Sequence, residues 1–367
     1  MSAKKPVFSS FLLIIGFALA VSVQGQPDST PKKSHNILLF PLVAKSIETG
    51  WSFGVAGSAT FHLNKLDTTT RTSNLQALAL YTANKQFLAA VNGTQYFKKE
   101  KYILNEQLSY SSFPDKFWGL GNRAPDSAEE AYSFKQYYIY LHLLKHLGRS
   151  LYVGSIFEFQ NLLDVDYKSG GIFDKQQING RYPYKVSGLG LSLTYDNRNN
   201  AFAPDNGNFI QLYFNHFSKT LGSDFVYTNI VLDARKFIRL YKQQVLALQL
   251  FSFTNTGQSV PLRSLASFGG NNSMRGYYDG RFRDKQQMTF QAEYRFPIYK
   301  RFGMVAFGGI GDVAHDYADF SIQTLKYSFG SGLRFALNRK EKLNLRIDYG
   351  IAKGGNSGLY LELGEAF

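Results

Sequence analysis

From Thr289 to Ile298 the chain reads TFQAEYRFPI, with Phe290, Ala292, Tyr294 and Phe296 on one side of a strand and Gln291, Glu293 and Arg295 on the other. A period of two with one apolar and one charged face predicts a wall strand, its apolar side toward lipid and its polar side toward a lumen. The same alternation closes the chain. Tyr327, Phe329, Leu333, Phe335 and Leu337 oppose Lys326, Ser328 and Arg334; Leu343, Leu345, Ile347, Tyr349 and Ile351 oppose Asn344, Arg346 and Asp348. Leu359, Leu361 and Leu363 oppose Tyr360 and Glu362.

Taken in order, the pattern predicts sixteen strands: His35–Ala44, Trp51–Leu63, Asn74–Tyr81, Phe87–Phe97, Tyr102–Phe113, Ser133–Leu144, Leu151–Leu163, Tyr184–Asp196, Asn208–Phe217, Phe225–Ile238, Gln244–Phe253, Gln287–Pro297, Phe302–Val313, Lys326–Leu337, Leu343–Ile351 and Gly358–Phe367. Many exceed the ~5–6 residues usual in soluble sheets and reach the ~9–11 that a tilted membrane strand needs. The expected fold is all-β: a transmembrane antiparallel β-barrel. With the N-terminus in the periplasm, the short connections at Lys98–Lys101, Lys145–Ser150, Arg239–Gln243, Ile298–Arg301 and Asn338–Lys342 are periplasmic. Asn64–Ser73 and Asn197–Gly207 are longer but still modest. The longest connections are Pro114–Tyr132, Asp164–Pro183 and Thr254–Gln286, the last by far the longest and extracellular.

The N-terminus has its own pattern. Lys4 and Lys5 precede an apolar run from Phe11 to Val21, and Val23-Gln24-Gly25 precede Gln26. That is the layout of a secretory signal peptide over residues 1–25, followed by a short periplasmic segment over 26–34 and the barrel over 35–367. The run falls short of the ~20 apolar residues of a membrane helix. The chain has no cysteine, which excludes lipoprotein attachment and a disulfide scaffold.

Composition agrees with a barrel: 32 Phe, 24 Tyr and 33 Gly against 10 Pro. The net charge is +14, and the expected short turns hold much of it: Lys98, Lys99 and Lys101; Arg239 and Lys242; Lys300 and Arg301; Arg339, Lys340 and Lys342. Such turns would attract lipid head groups or an acidic periplasmic partner, or are simply solvated turns beside apolar strands. Dispersed basic residues with no binding module exclude nucleic acid as a partner.

The candidate chemistry lies in Ser267–Asp284, SFGGNNSMRGYYDGRFRD, which is Gly-rich, polar and too long for a tight turn. It carries Met274-Arg275-Gly276-Tyr277, and Gly276 would let the backbone turn sharply if the loop folds back into the lumen. A GG-x-x-S-[VIM]-R-G-[FY] loop followed by an x-E-[YF]-R-x-P strand resembles the BamA/TamA family of outer-membrane assembly barrels, also called bacterial surface antigens. The resemblance implies that Arg275, at a tip with Gly276 and Tyr277, reaches into the lumen and pairs with acids on the next two strands. The first is Glu293. The family's second acid sits in F-x-D-x-G, where this chain has Phe307-Gly308-Gly309-Ile310-Gly311; Gly309 takes the place of the acid. Asp312, close by in a different phase, and Asp348 are the other inward acids expected near Arg275.

A second motif, Asp196-Asn197-Arg198 with Phe202, Pro204 and Gly207, resembles the D-x-R-x-x-x-F-x-P-x-x-G turn of the same barrels. Its expected role is structural, since Pro fixes φ and Gly permits a left-handed step. The terminal Phe367 fits the C-terminal signal read during barrel insertion. The resemblance also implies POTRA modules upstream, and the ten or so residues between Gln26 and the first strand hold none.

The resemblance therefore implies a Gram-negative outer-membrane barrel in assembly, insertion or translocation. It would be monomeric, bounded by outer-membrane lipid, and would work with a separate periplasmic or outer-membrane protein. Opening would occur at a weak seam between the first and last strands, where Pro41 is tolerated because it cannot donate to a ladder. A passive pore or structural barrel with a plugging loop is the alternative. An outer-membrane enzyme ranks last: of six histidines only His315 has an adjacent acid, Asp316, and no nucleophile motif accompanies it. His142 and His146, four apart on a strand, make no tight chelate, so neither a metal nor a cofactor is expected.

Overall fold

The computed structural model describes residues 36–46, 50–63, 70–97, 99–200, 202–339 and 342–367. The expected signal peptide, the segment 26–34 and His35 lie outside them. The strands are β1 (Asn36–Ser46), β2 (Gly50–Phe61), β3 (Ser73–Thr82), β4 (Phe87–Phe97), β5 (Tyr102–Phe117), β6 (Glu130–Gly148), β7 (Leu151–Tyr167), β8 (Tyr184–Asp196) and β9 (Gly207–Phe217). They continue as β10 (Tyr227–Arg239), β11 (Val245–Thr256), β12 (Ala266–Phe268), β13 (Phe282–Asp284), β14 (Gln286–Tyr299), β15 (Phe302–Ala314), β16 (Lys326–Asn338), β17 (Leu343–Ala352) and β18 (Ser357–Leu363). All but β12 and β13 join one 16-stranded antiparallel sheet in chain order. β12 and β13 form a small ribbon inside the connection from β11 to β14.

Next-neighbour pairing satisfies the backbone polar groups across lipid, and the alternation sorts the side chains. On β8 and β9, Leu189, Leu191, Leu193, Ile210, Leu212 and Phe214 are exposed on the outer face. Ser192, Thr194, Gln211 and Asn215, between them in sequence, are buried in the lumen. All sixteen expected strands are present, and the longest connections share one end.

Several boundaries are corrected. β6 and β7 are 19 and 17 residues long, well beyond the expected Ser133–Leu144 and Leu151–Leu163. Toward the long-loop end the pairing continues past a register shift between Ser133 and Lys135, with Asp164 left-handed (φ 49), and the buried face there is apolar, so the two-residue pattern is broken. Phe117, Tyr132, Phe134, Leu162, Phe173 and Tyr184 pack there in one apolar cluster that roofs the lumen. The first strand begins at Asn36 and runs on to Ser46 rather than stopping at Ala44. The last strand stops at Leu363 instead of continuing to Phe367. Gly364 is left-handed (φ 85), and Glu365 to Phe367 turn into the lumen, where Phe367 packs with Phe237 and Ala247.

The two ends of the sheet differ from every internal pair. Among the described residues no ladder joins β1 to β18, whereas each of the other neighbours is joined by an antiparallel ladder. Leu42 of β1 instead shares an apolar cluster with Tyr360 and Leu361 of β18. Pro41 lies in β1 opposite Val55 and is exposed.

Candidate functional site: a loop locked inside the barrel

The connection from β11 to β14 folds into the lumen and puts its tip on the wall formed by β14 to β18. That wall is hollowed for it. Inward positions of β15, β16 and β17 are small: Gly309, Gly330, Gly332 and Gly350. A Cβ on Gly350 would lie 2.6 Å from the carbonyl carbon and oxygen of Arg275, and one on Gly276 2.8 Å from the amide nitrogen of Ala352. Loop and β17 thus meet backbone to backbone, with Gly276 also at φ 111. Neither place has room for a side chain.

Arg275 is only 1% exposed and lies between two carboxylates. Its Nη2 donates to Glu293 Oε1 at 2.5 Å and its Nη1 to Asp348 Oδ2 at 2.5 Å. The guanidinium carbon lies over the ring of Phe307, 3.5 Å from its centre. A planar fork can hold two carboxylates and an aromatic face at once, which a lysine ammonium cannot. Around this centre Arg295 donates to Glu293 at 2.7 Å, Arg334 to Asp348 at 2.5 Å and Arg346 to Asp348 at 3.2 Å. Glu365 of the tail takes Arg334 Nε at 2.7 Å, and Glu362 lies 3.5 Å from Arg346. Four arginines therefore face four carboxylates in a buried, charge-balanced network. Balance matters, because an uncompensated buried charge is far costlier than a paired one.

The neighbours of Arg275 fasten the tip to the last strands. Gly276 N donates to Tyr360 Oη at 2.9 Å, and Asn271 bonds Glu362, both acceptors being on β18. The amide of Met274 donates to Gln291 Oε1 at 3.0 Å on β14. The Tyr277 hydroxyl reaches the carbonyl of Tyr327 at 3.3 Å on β16. One tip thus ties β14, β16, β17 and β18 together.

Of the residues expected from the sequence, Arg275, Gly276, Tyr277 and Glu293 come together. Asp312 does not join Arg275, and this corrects the expectation. It lies toward the long-loop end of β15, accepts from Asn122 Nδ2 at 3.0 Å and sits 3.7 Å from Lys326. Asp348 is the second acid. Gly309, where the family acid was sought, leaves space for the Met274 sulfur, 3.1 Å from where a Cβ would lie. The carboxylate has in effect moved two strands along the wall, from β15 to β17.

A second anchorage holds the base of the loop. Asp115 of β5 accepts from Tyr132 Oη at 2.9 Å, Arg263 Nη1 at 3.1 Å and Tyr278 Oη at 3.1 Å. Arg263 stacks 4.5 Å over Phe134 beneath the apolar roof. No sequence pattern marked Asp115 or Arg263; only their convergence in space does.

The other expected positions are structural. Arg198 folds back on Asp196 with two bonds of 2.8 Å, Pro204 is buried, and Gly207 is left-handed at φ 105. The same turn sends Asp205 to Arg239 at 2.6 Å and to Lys342 at 2.7 Å. Phe367 is buried in the lumen, where its main-chain oxygen accepts from Arg295 Nη2 at 3.0 Å. His315 lies 3.5 Å from Asp284 rather than pairing with Asp316, and His142 bonds Ser192 at 2.6 Å inside the lumen.

Fold and site define a class: sixteen-stranded antiparallel barrels with a charge-locked loop in the lumen. The Omp85 superfamily domain matches residues 40–367, and the chain belongs to that superfamily. Solved structures agree on the fold. BamA from Haemophilus ducreyi lacking POTRA domains 1–3 superposes at a TM-score of 0.58 with 16% identity, over 90% of this chain and 70% of that one. CdiB from Acinetobacter baumannii gives 0.57 with 14% identity, over 90% of this chain and 59% of that one. CdiB from Escherichia coli gives 0.58 with 10% identity, over 91% and 62%. The chain thus spans less than two thirds of either CdiB. No curated protein matches it by sequence.

Proposed function

We propose that the chain is an integral Gram-negative outer-membrane barrel that assists the assembly, insertion or translocation of other outer-membrane proteins with a separate protein partner. One observation carries the proposal: the locked loop is bonded to β18, the strand at the free end of the sheet order, through Gly276–Tyr360 and Asn271–Glu362. A loop fixed on β14 and β17 and also holding β18 braces the barrel beside the place where, among the described residues, the wall has no ladder. On this reading β1 and β18 part to admit a client strand, and the lock keeps the other wall strands in register meanwhile. The protein does no covalent chemistry.

The test uses purified chain in lipid vesicles, to which a small unfolded barrel protein is added and its folding followed by heat-modifiability. The cysteine-free background allows single disulfides between β1 and β18. Wild type should accelerate client folding, the oxidised seam variant should not, and reductant should restore it. Undiminished acceleration by the fully crosslinked variant would sink lateral opening. No acceleration by wild type would favour a passive barrel, whose loop and apolar roof obstruct the lumen.

A further inference from the structure

Left-handed backbone positions are sorted by the ends of the barrel. Among the described residues sixteen glycines have positive φ, and all but Gly148, Gly207 and Gly364 lie at the long-loop end. At the short-turn end the same conformation is taken by Lys99 (φ 56), Arg149 (φ 49), Lys242 (φ 50), Lys300 (φ 48) and Lys342 (φ 55). They occur one each in the connections β4–β5, β6–β7, β10–β11, β14–β15 and β16–β17. Among the described residues the long-loop end has one such cation, Lys85.

Turn chemistry does not account for this. Residues with a Cβ are strained at positive φ, and two-residue hairpin turns favour Asn or Gly there. In three of the turns the next residue is also left-handed, and it varies: Glu100, Ser150, Gln243. Only the first place is uniformly cationic. A cause other than backbone geometry keeps a positive charge at that place.

The surroundings identify the depth at which these charges sit. Tyr241 and Tyr299, 75% and 62% exposed, adjoin Lys242 and Lys300, whose ammonium groups lie 5.1 Å and 4.9 Å from the ring centres. Exposed Leu240, Ile298 and Phe302 continue the apolar band directly above. Aromatic residues at the edge of the apolar band mark the interface between hydrocarbon and head groups. The five turns are also spread around the barrel. Lys342 is turned across the mouth to Asp205; an acidic protein docked on the rim would meet one arc of the other four, whereas the lipid annulus meets all four.

We propose that Lys99, Arg149, Lys242 and Lys300 form a ring that binds the phosphates of anionic phospholipids in the periplasmic leaflet. The assignment rests on the outer-membrane reading, with the short turns in the periplasm. It adds to that reading a lipid class that the barrel selects and that would orient it in the bilayer.

The experiment uses the full chain in neutral detergent, titrated with phosphatidylglycerol or phosphatidylcholine, with retained lipid counted by native mass spectrometry. The comparison variant carries Asn at these four positions; Asn tolerates the left-handed turn, so folding is not put at risk. Wild type should retain phosphatidylglycerol in preference to phosphatidylcholine by roughly fivefold for each cation engaged at low salt, shrinking at about 0.5 M salt. The Asn variant should show no preference. Equal retention of both lipids by wild type, or an unchanged preference in the variant, would overturn the proposal and leave the ring to an acidic protein. Heat-modifiability is measured on the same samples. If wild type lacks it, the barrel reading itself fails, which is a separate result from a barrel that does not discriminate lipids.

Discussion

The long loop is anchored twice, and the two anchorages are built differently. At its tip Arg275 sits in a balanced set of four arginines and four carboxylates, on a wall hollowed by glycines. At its base Asp115 sits among tyrosine hydroxyls and Arg263, under a roof of packed aromatic and aliphatic side chains. The base would retain its apolar packing if its charges were removed. The tip also buries Met274 and Tyr277 against Phe268, Phe282, Val313 and Ala352, but Arg275 itself is held by charge pairing and close backbone contact. The two should therefore fail by different amounts and in different ways.

The largest effect belongs to Arg275→Ala, which leaves four carboxylates facing three arginines. Breaking a buried pair in this way costs about 3–5 kcal/mol. It should appear as a marked fall in the temperature at which the barrel loses its compact gel mobility. Next comes Gly350→Ala, whose methyl would overlap the Arg275 backbone; neither backbone can yield cheaply, and overpacking of this kind costs about 1–3 kcal/mol. Because it removes no charge, it separates the steric part of the tip from the electrostatic part. A wild-type melting temperature for this variant would show that loop and β17 do not touch.

Asp115→Asn takes the carboxylate from the buried Arg263, a loss of the same kind as at the tip, but the roof stays packed and the damage should stay local. Faster proteolysis of the long loop with little change in barrel melting is the expected result. An equally large fall in barrel melting would erase the contrast between base and tip. The smallest effect is expected at Asp205, whose contact with Arg239 and Lys342 is open to solvent and worth about 0–1 kcal/mol. Burial alone would raise the Asp205 carboxyl, but hydrogen bonds from Lys342, Arg239 and Asn199 outweigh it and hold the pKa below the usual carboxylate value. A carboxylate with a lowered folded pKa contributes its stability at and above the ordinary carboxylate range and loses it as pH falls through the folded value. The difference between wild type and Asp205→Asn should therefore be seen at neutral pH and vanish in strong acid.

The two anchorages also differ in how far the sequence revealed them. The tip announced itself because its residues are contiguous and their types unusual: Met274-Arg275-Gly276-Tyr277, with Glu293 one strand later at an inward position. The wall was equally legible, since lipid on one side and a polar lumen on the other enforce a period of two. Asp348 was visible only as an inward acid among others, because what selects it over Asp312 is the reach of the loop across four strands. The inward glycines at 330, 332 and 350 carried a readable sign, a run of absent side chains facing the lumen, whose meaning depends on knowing what fills the space. Asp115 and Arg263 lie 148 positions apart and match no motif, so only the folded loops bring them together. The tail was misread because apolar alternation up to Leu363 extrapolates naturally to Phe367, whereas Glu365 has its arginine partners inside the barrel.

The central claim, that Arg275 and Glu293 hold the loop as one charge-balanced unit, is tested most directly by a double-mutant cycle on Arg275→Ala and Glu293→Ala, read by thermal heat-modifiability. Each single change unbalances the network by one charge; together they restore three arginines against three carboxylates. The account predicts that the double variant melts well above the sum of the two single losses, with a coupling of about 1–3 kcal/mol. Strictly additive losses would contradict it.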